Sequence, residues 1–295
     1  MFRVCICILN YNNAHKTIAA VQSALNQTYG NIGIVIVDNA SSDDSLVVLQ
    51  DFLTKNSYDF TLLDEFDIGT NQEKPCSAVS LLVSKQNGGY SRGNNLGIRF
   101  AKSFSAFSHV LIVNNDVIMA GNFVEDLVVS YNGFVDVHRT KSIAIGSFEY
   151  NAEGERTHKG FHYINLLSGL AFKYPIPPYF RYIVGSCILL PVETPLMDES
   201  YFLYYDDAQF SKILIKEGYL LETCSVSFFT HEGNATTKSI DSMYKVVFKS
   251  MKHFYILNYP YIYPVVILMR FCQDIFRGNF IKALQLIKSA FQPHV

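Results

Sequence analysis

Through the first 115 residues, short apolar runs rich in β-branched side chains alternate with stretches of helical spacing. Residues 4–9, 32–37, 79–83 and 109–113 read as strands. Residues 14–26, 43–55 and 91–104 between them repeat apolar positions every three or four residues, with Ser41, Ser42 or Asp43 placed to cap the second helix. Parallel neighbours need a crossover long enough to hold a helix, so this alternation predicts an α/β chain with a mostly parallel central sheet and helices on both faces. In such a sheet the strand C-termini gather along one edge, and ligands bind just outside it.

Polar clusters sit where each of these strands ends. They are Asn10-Tyr11-Asn12-Asn13, the run from Asp38 to Asp43, the run from Asn87 to Asn95, and Asn114-Asn115-Asp116. Each alone reads equally well as a turn, since Asn, Asp, Ser and Gly are common turn residues. Four on one sheet edge predict a site for a polar, extended ligand. Asp38 is placed to accept bonds from a ribose hydroxyl or a base N–H. Gly88, Gly89 and Gly93 allow close approach to a phosphate. Arg92 reads either as a phosphate contact or as a solvated surface side chain, and Asp116 is a candidate cation ligand. No G-K-[ST] follows the glycines and no G-x-G-x-x-G follows the first strand, which argues against P-loop and dinucleotide-binding sites.

The second half is less regular. Residues 143–150, 182–190 and 225–229 are strand-like, 163–179 reads as irregular, and 208–217 is a helix closed by Gly218. The polar stretch between Lys55 and Val79 reads as an exposed loop or hairpin insertion. Tyr201-Phe202-Leu203-Tyr204-Tyr205-Asp206-Asp207 places aromatics before paired carboxylates. Burial and a like-charged neighbour both raise a carboxyl pKa, as a general base requires, although acids also decorate ordinary helix N-termini. His231 follows an apolar strand and reads as structural or as a ligand.

Composition bears mainly on partners and compartment. The net charge of -2 speaks against nucleic acid. The six cysteines form no C-x-x-C pair and read as reduced thiols; with no signal-peptide pattern, a cytoplasmic protein is expected. Helical segments at 243–257, 259–272 and 280–291 are largely apolar with scattered lysines, and no apolar run reaches the ~20 residues that span a bilayer. They are read either as an interfacial membrane-binding element or as a face packed on the domain or on a second subunit.

Taken in order, the motifs resemble those of the inverting nucleotide-sugar glycosyltransferases of family 2, which have the GT-A fold, and in particular a rhamnosyltransferase-like branch that builds bacterial surface polysaccharides such as O-antigen or capsule. The motifs are VCICILNYNN (4–13), Gln27-Thr28-Tyr29, IVIVDNASSDDS (34–45), QNGGYSRGNNLGIRFA (86–101), VLIVNNDV (110–117), VGSCILLP (184–191), DESYFLYYDDAQF (198–210), Glu217-Gly218-Tyr219 and His231. The resemblance covers about residues 3–235 and implies a GT-A domain over 1–240 followed by a C-terminal helical extension over 241–295.

By that resemblance, Asn10, Asn12, Asp38, Asn87, Gly89, Asn94, Asn114 and Asn115 bind a uridine- or thymidine-diphosphate sugar. Asp116 and His231 hold a divalent cation, Mn²⁺ or Mg²⁺, and Asp207 is the catalytic base. Asp206 and Tyr205 lie toward a saccharide acceptor, expected to be linked to polyprenyl diphosphate at the inner face of the cell membrane. A homodimer is compatible with the apolar C-terminus. The sequence departs from the family pattern at Asn114, which replaces the first acid of D-x-D, and at Gln209 and Ile213, where an acid and an arginine are expected. A sugar nucleotidyltransferase, or a non-catalytic binding protein on a degenerate transferase fold, are the alternative readings.

Overall fold

The computed structural model describes residues 2–69, 78–104, 106–231 and 240–290. The first half alternates as expected, through β1 (Val4–Asn10), α1 (Ala14–Leu25), β2 (Ile32–Asp38), α2 (Ser45–Lys55), β3 (Phe60–Asp64), β4 (Val79–Val83), α3 (Gly89–Ser103) and β5 (His109–Asn114). Then follow β6 (Val117–Met119), α4 (Phe123–His138), β7 (Ile143–Tyr150), β8 (Arg156–His158), β9 (Phe161–Asn165), β10 (Ala171–Phe172), β11 (Tyr179–Ile183) and β12 (Cys187–Pro191). The chain continues through α5 (Asp206–Lys216), β13 (Leu220–His231), α6 (Ile240–Asn258), α7 (Tyr263–Phe276) and α8 (Phe280–Ala290).

The main sheet has the order β3-β4-β2-β1-β5-β12-β7-β13-β6. β12 runs antiparallel to β5 and β7, and β6 antiparallel to β13; the other neighbours along this path are parallel. The fold is therefore mixed α/β with a mostly parallel sheet, flanking helices and further helices at the C-terminal end.

Strand alternation divides the core between the two faces. Val4, Ile6 and Ile8 pack with Val21 of α1, Leu49 of α2 and Phe123 of α4. Cys5 and Cys7 point the other way, toward Leu96 and Phe100 of α3 and Phe210 and Leu214 of α5. Full burial of one such Ile, Leu or Phe is worth about 1.5–3 kcal/mol. The free thiols Cys5, Cys7, Cys187 and Cys224 are buried, and Cys76 lies outside the described residues. Helix α3 lies so close to β1 that a Cβ on Gly97 would stand 1.9 Å from Cys7 Sγ. We expect Gly97→Ala to cost about 1–3 kcal/mol of stability by overpacking, read as a lowered urea midpoint at unchanged slope.

Four segments differ from the sequence reading. The stretch between Lys55 and Val79 is not simply a loop, because Phe60–Asp64 pairs in parallel with β4 at the sheet edge; residues 70–77 lie outside the described residues. The 163–179 region contributes to a small antiparallel sheet, β10-β9-β11. The strand read at 182–190 is two strands, broken at Val184-Gly185-Ser186. Helix α4 has no counterpart in the sequence reading; its valines and Gly133 lower its helix propensity, and packing of Phe123, Leu127 and Tyr131 stabilises it instead.

Helices α6 to α8 pack through a third cluster, in which Met251, Phe254, Tyr255 and Val266 meet Ile164, Tyr182, Tyr201 and Ala208. Gln209 lies in this seam, where its Oε1 accepts from Asn258 Nδ2 at 2.8 Å. Lys212 of α5 stands over the rings of Phe180 and Tyr259, at 4.3 and 4.4 Å from their centroids. Among the described residues no helix is long and apolar enough to cross a membrane.

Candidate active site

Parallel register brings the polar strand ends together. Asn10 stands opposite Asp38, Asp38 opposite Val83, and Leu9 opposite Asn114. Asn10 is fully buried, donates from Nδ2 to Asp38 Oδ1 at 2.8 Å and accepts from Thr17 Oγ1 at 2.6 Å. Asp38 in turn accepts from the backbone N–H and the hydroxyl of Ser41, at 3.1 and 2.6 Å. Asn12 takes the Ser42 N–H at 2.7 Å. These three residues form a bracing layer that fixes the β2–α2 loop rather than a lining that faces open space.

The lining lies one residue further on. Asn39 Nδ2 donates to Asn87 Oδ1 at 3.0 Å and to the Gly89 carbonyl at 3.1 Å, while Asn87 Oδ1 also accepts the Gly89 N–H at 2.9 Å. Gly89 has φ +77°, and a Cβ there would sit 2.1 Å from the Phe202 carbonyl oxygen. Only glycine lets the loop pass this close, and the Tyr90 N–H then bonds Phe202 O at 2.8 Å. Asn39, Asn87, Gly89, Asn114, Asn115 and Asp116 all line one cavity of about 400 Å³.

Two expectations change here. Asn94 is fully buried inside α3, donates to the Tyr90 carbonyl at 3.0 Å and lines neither this cavity nor its neighbour. Arg92 is neither a phosphate contact nor a solvated side chain; its guanidinium pairs with Glu65 at 2.9 Å and with Ser84 Oγ at 2.7 Å, largely buried.

A second cavity of about 400 Å³ adjoins the first, and the two share Tyr90, Asn114, Leu203, Tyr204 and His231 as lining. Asp206 and Asp207 open onto it from the first turn of α5. Tyr204 and Tyr205, immediately before them, both have left-handed backbone, with φ of 66° and 60°. Non-glycine residues seldom adopt this conformation, and it persists where surrounding structure imposes it. The Tyr205 hydroxyl is tied to the Gly169 carbonyl, and the Tyr90 hydroxyl to the Gly185 carbonyl. These ties fix the start of α5, and Asp207 Oδ1 accepts the Ala208 N–H at 2.8 Å. Burial raises the pKa of both carboxyls, and the charge of Asp206 raises that of Asp207 further.

Where the cavities meet, a chain of charged groups crosses the sheet. His231 Nε2 lies 3.0 Å from Asp116 Oδ1, and its Nδ1 lies 3.1 Å from Glu149 Oε2. Glu149 also meets His158 Nε2 at 2.8 Å, Ser186 Oγ at 2.9 Å and Thr157 Oγ1 at 2.7 Å. Burial by itself would lower the His231 pKa, but bonds to Asp116 and Glu149 outweigh it and hold the pKa up at about 10. Burial likewise opposes the charge on Glu149, yet its two histidine partners keep its pKa well below the usual carboxylate range.

Asp116 and His231 are hard-oxygen and imidazole donors at the rim of the strand-end cavity. Among the described residues no three His, Cys, Asp or Glu side chains converge as a metal centre. Two protein donors nevertheless suit a cation that takes its remaining ligands from phosphate oxygens and water.

Comparison with known proteins bears on this arrangement. Residues 5–65, which hold β1, α1, β2, α2 and β3, match the family described as glycosyl transferase family 2. The likeness to that family is confined to this segment, which lies within a fold that is GT-A-like. Glycosyltransferase GlyG of Streptococcus pneumoniae serotype 4 is 27% identical over 117 residues, 40% of this chain and 31% of that protein. The low-salt glycan biosynthesis hexosyltransferase Agl10 of Haloferax volcanii is 26% identical over 180 residues, 57% of this chain and 56% of that protein. The chain thus spans about half, or less, of the curated relatives it matches. The solved structure of GalNAc-T7 with UDP, GalNAc and Mn²⁺ superposes with a TM-score of 0.61 at 12% identity, over 89% of this chain and 49% of that one. At that identity the likeness concerns the fold alone.

Asn39, Tyr90, Glu149 and Arg270 occupy positions in or around the site that the sequence reading did not assign. Asn39 carried a usable signal, since it follows Asp38 at a strand end. Glu149 and Arg270 did not, because long-range packing alone brings them there.

Proposed function

We propose that this chain is an inverting glycosyltransferase that moves a sugar from a uridine- or thymidine-diphosphate donor to a hydroxyl of a saccharide acceptor. The observation that carries this reading is the junction of two cavities. One lies at the parallel strand ends with Asp116 and His231 at its rim, and the other is entered by the buried Asp206 and the half-buried Asp207. Donor and acceptor would meet across the shared wall of Tyr90, Asn114 and Tyr204.

In this reading the strand-end cavity takes the nucleoside diphosphate, with Asn39, Asn87 and Asn115 supplying amides while Asn10, Asn12 and Asp38 hold their loops in place. Asp207 accepts the proton of the attacking hydroxyl, and its raised pKa suits it to that transfer. Attack from the face opposite the diphosphate inverts the anomeric carbon in a single displacement. Asp116 and His231 would hold Mn²⁺ or Mg²⁺, which supplies Lewis-acid stabilisation of charge on the leaving diphosphate when bound. Residues 1–240 serve as the transferase unit and 241–295 as an extension for the acceptor.

The acceptor is a lipid-linked saccharide of a surface-polysaccharide pathway, met at the inner face of the cell membrane. Leu257, Leu268, Phe276 and Leu284 on α6 to α8 and Tyr261 in the turn between α6 and α7 support this, because each leaves a large apolar side chain exposed. Thermal shift against UDP- and dTDP-sugars, with and without Mn²⁺, tests the donor reading. A true donor raises the melting point by mass action, more so with the cation. No response to any sugar nucleotide would sink the reading. Flotation with anionic phospholipid vesicles tests the membrane reading, which a lipid-free dimer burying the same helices would replace.

A further inference from the structure

Gly185 and Ser186, in the break between β11 and β12, are buried. Buried backbone outside a strand ladder must find its hydrogen-bond partners elsewhere. Here those partners belong to the site. The Gly185 carbonyl accepts the Tyr90 hydroxyl of α3, and the Gly185 N–H donates to the Asp207 carboxylate of α5. The Ser186 carbonyl accepts the Asn114 N–H at 3.0 Å, and the Ser186 hydroxyl donates to Glu149 Oε2 at 2.9 Å. Gly185 is thus bonded on the side of the carboxyl pair. Ser186, the next residue, is bonded to the strand tip and to the Glu149 end of the chain that holds His231.

Neighbouring bonds hold the segment at both sides. The Ile183 N–H donates to Ser211 Oγ of α5 at 3.0 Å, and the Val184 N–H to the Gly160 carbonyl at 3.0 Å. A Cβ on Gly185 would stand 2.9 Å from the Tyr90 hydroxyl and 3.3 Å from Asp207 Cβ, so a side chain there would push the two apart. The Gly185 carbonyl and the Ser186 N–H lie in one planar peptide unit, which turns as a rigid body. Tyr90→Phe keeps the ring but leaves that buried carbonyl without its donor, a costly state unless the peptide turns. Gly185, with no Cβ, is free to follow, and its N–H then loses its aim at Asp207. That bond favours the charged carboxylate, so losing it raises the Asp207 pKa further. The substitution removes no charge, because burial keeps the Tyr90 hydroxyl protonated. The other titratable groups lining the same cavity, Asp206, His162, Tyr182, Tyr204, Tyr205, His231 and Arg270, are all retained.

We infer that Gly185-Ser186 is a crosspiece that sets the two halves of the site against each other, with Tyr90 positioning Asp207 through Gly185 and Ser186 positioning His231 through Glu149. The roles of Asp207 and His231 rest on the transfer reading above, whereas the bonds of the crosspiece do not.

The test is a carboxyl ¹³C NMR titration of the full chain labelled at aspartate, with the Asp207 signal assigned by its loss in Asp207→Asn. Tyr90→Phe is expected to raise the Asp207 midpoint by about half a unit, part of the worth of a hydrogen bond to a charged group. Gly185→Ala, which displaces the same hydroxyl, is expected to shift it in the same direction. Mn²⁺ affinity in the presence of UDP, read by electron paramagnetic resonance, should stay at its wild-type value in Tyr90→Phe. Ser186→Ala is expected to do the reverse, weakening Mn²⁺ binding by about three- to tenfold while the Asp207 midpoint stays in place. An unmoved midpoint in Tyr90→Phe overturns the link from Tyr90 to Asp207. Unchanged Mn²⁺ binding in Ser186→Ala overturns the link from Ser186 to His231. Both changes together in either variant, with a lowered melting temperature, would mean a general loosening of the fold and overturn the division between the two residues. A wild-type chain that binds neither UDP nor Mn²⁺ removes the transfer reading and the role of Ser186 with it, whereas the Asp207 titration still decides the role of Tyr90.

Discussion

Asp207→Asn is expected to lower sugar transfer by about 10²–10⁴-fold, the usual worth of a positioned general base, while the protein stays folded. The stability change should run opposite to the activity change. Burial and the neighbouring Asp206 raise the Asp207 pKa above its ordinary value. For such an acid the folded state keeps its proton longer than the unfolded state, whose carboxyl titrates near pH 3.9. The stabilising contribution of the protonated carboxyl is complete below that pH and is lost as pH rises through the raised folded pKa. At neutral pH wild-type folding therefore carries a cost, because a carboxyl that is ionised in the unfolded chain must either take up a proton or hold its charge beside Asp206. Asn removes that cost, and its carbonyl oxygen can still accept the Ala208 N–H that Asp207 Oδ1 takes at 2.8 Å. We expect a melting temperature above wild type at pH 8 and a smaller difference at pH 4. Wild-type-like turnover in Asp207→Asn would end the base assignment. A lowered melting temperature at pH 8 would assign Asp207 to helix capping instead.

The strand-end half of the site was legible in the sequence because its logic is local. A β-branched run ending in polar residues places those residues at a strand tip, and parallel crossovers put the tips on one edge. Asn114, Asn115 and Asp116 needed no more than that. Local pattern could not separate lining from bracing, so Asp38 looked like a ligand contact although it is 2% exposed and bonded to Ser41. Asn94 was misplaced for a related reason: it follows Gly89, which lines the cavity, but one helical turn carries it into the interior. The other half of the site depends on sheet order. β13 pairs with β7 in parallel and with β6 antiparallel, so that Phe229 stands opposite Glu149 and His231 opposite Val117. Those two pairings bring Asp116, His231 and Glu149 together from three distant segments. Arg270 reaches the cavity by packing of the C-terminal helices. Gln209, a departure from the family pattern, is explained by that same seam, where it receives Asn258.

The same three segments set the second large effect, on cation binding. Asp116→Ala and His231→Ala should each abolish measurable Mn²⁺ binding in the presence of UDP, followed by the loss of free Mn²⁺ signal in electron paramagnetic resonance. Glu149→Gln should weaken binding by about 10–100-fold, the usual effect of removing a partner that orients a ligating histidine. Glu149 makes no claim to the cation itself, because its Oε2 faces Nδ1 of His231 while Nε2 faces Asp116. Stability separates ligand from brace. In the metal-free chain, His231→Ala leaves Asp116 and Glu149 without the imidazolium between them, and breaking a mostly buried ion pair costs on the order of 3 kcal/mol. That stabilisation is fully present below the ordinary histidine pKa of 6.5 and is lost as pH rises through about 10, so the deficit should be larger at pH 6 than at pH 10. Asp116→Ala leaves the His231–Glu149 bond at 3.1 Å in place and should cost less. Unchanged Mn²⁺ binding in Asp116→Ala, in a chain that still binds UDP, would show that the strand-tip carboxylate is not a ligand. His231 would then be a structural cross-link between the two halves of the sheet.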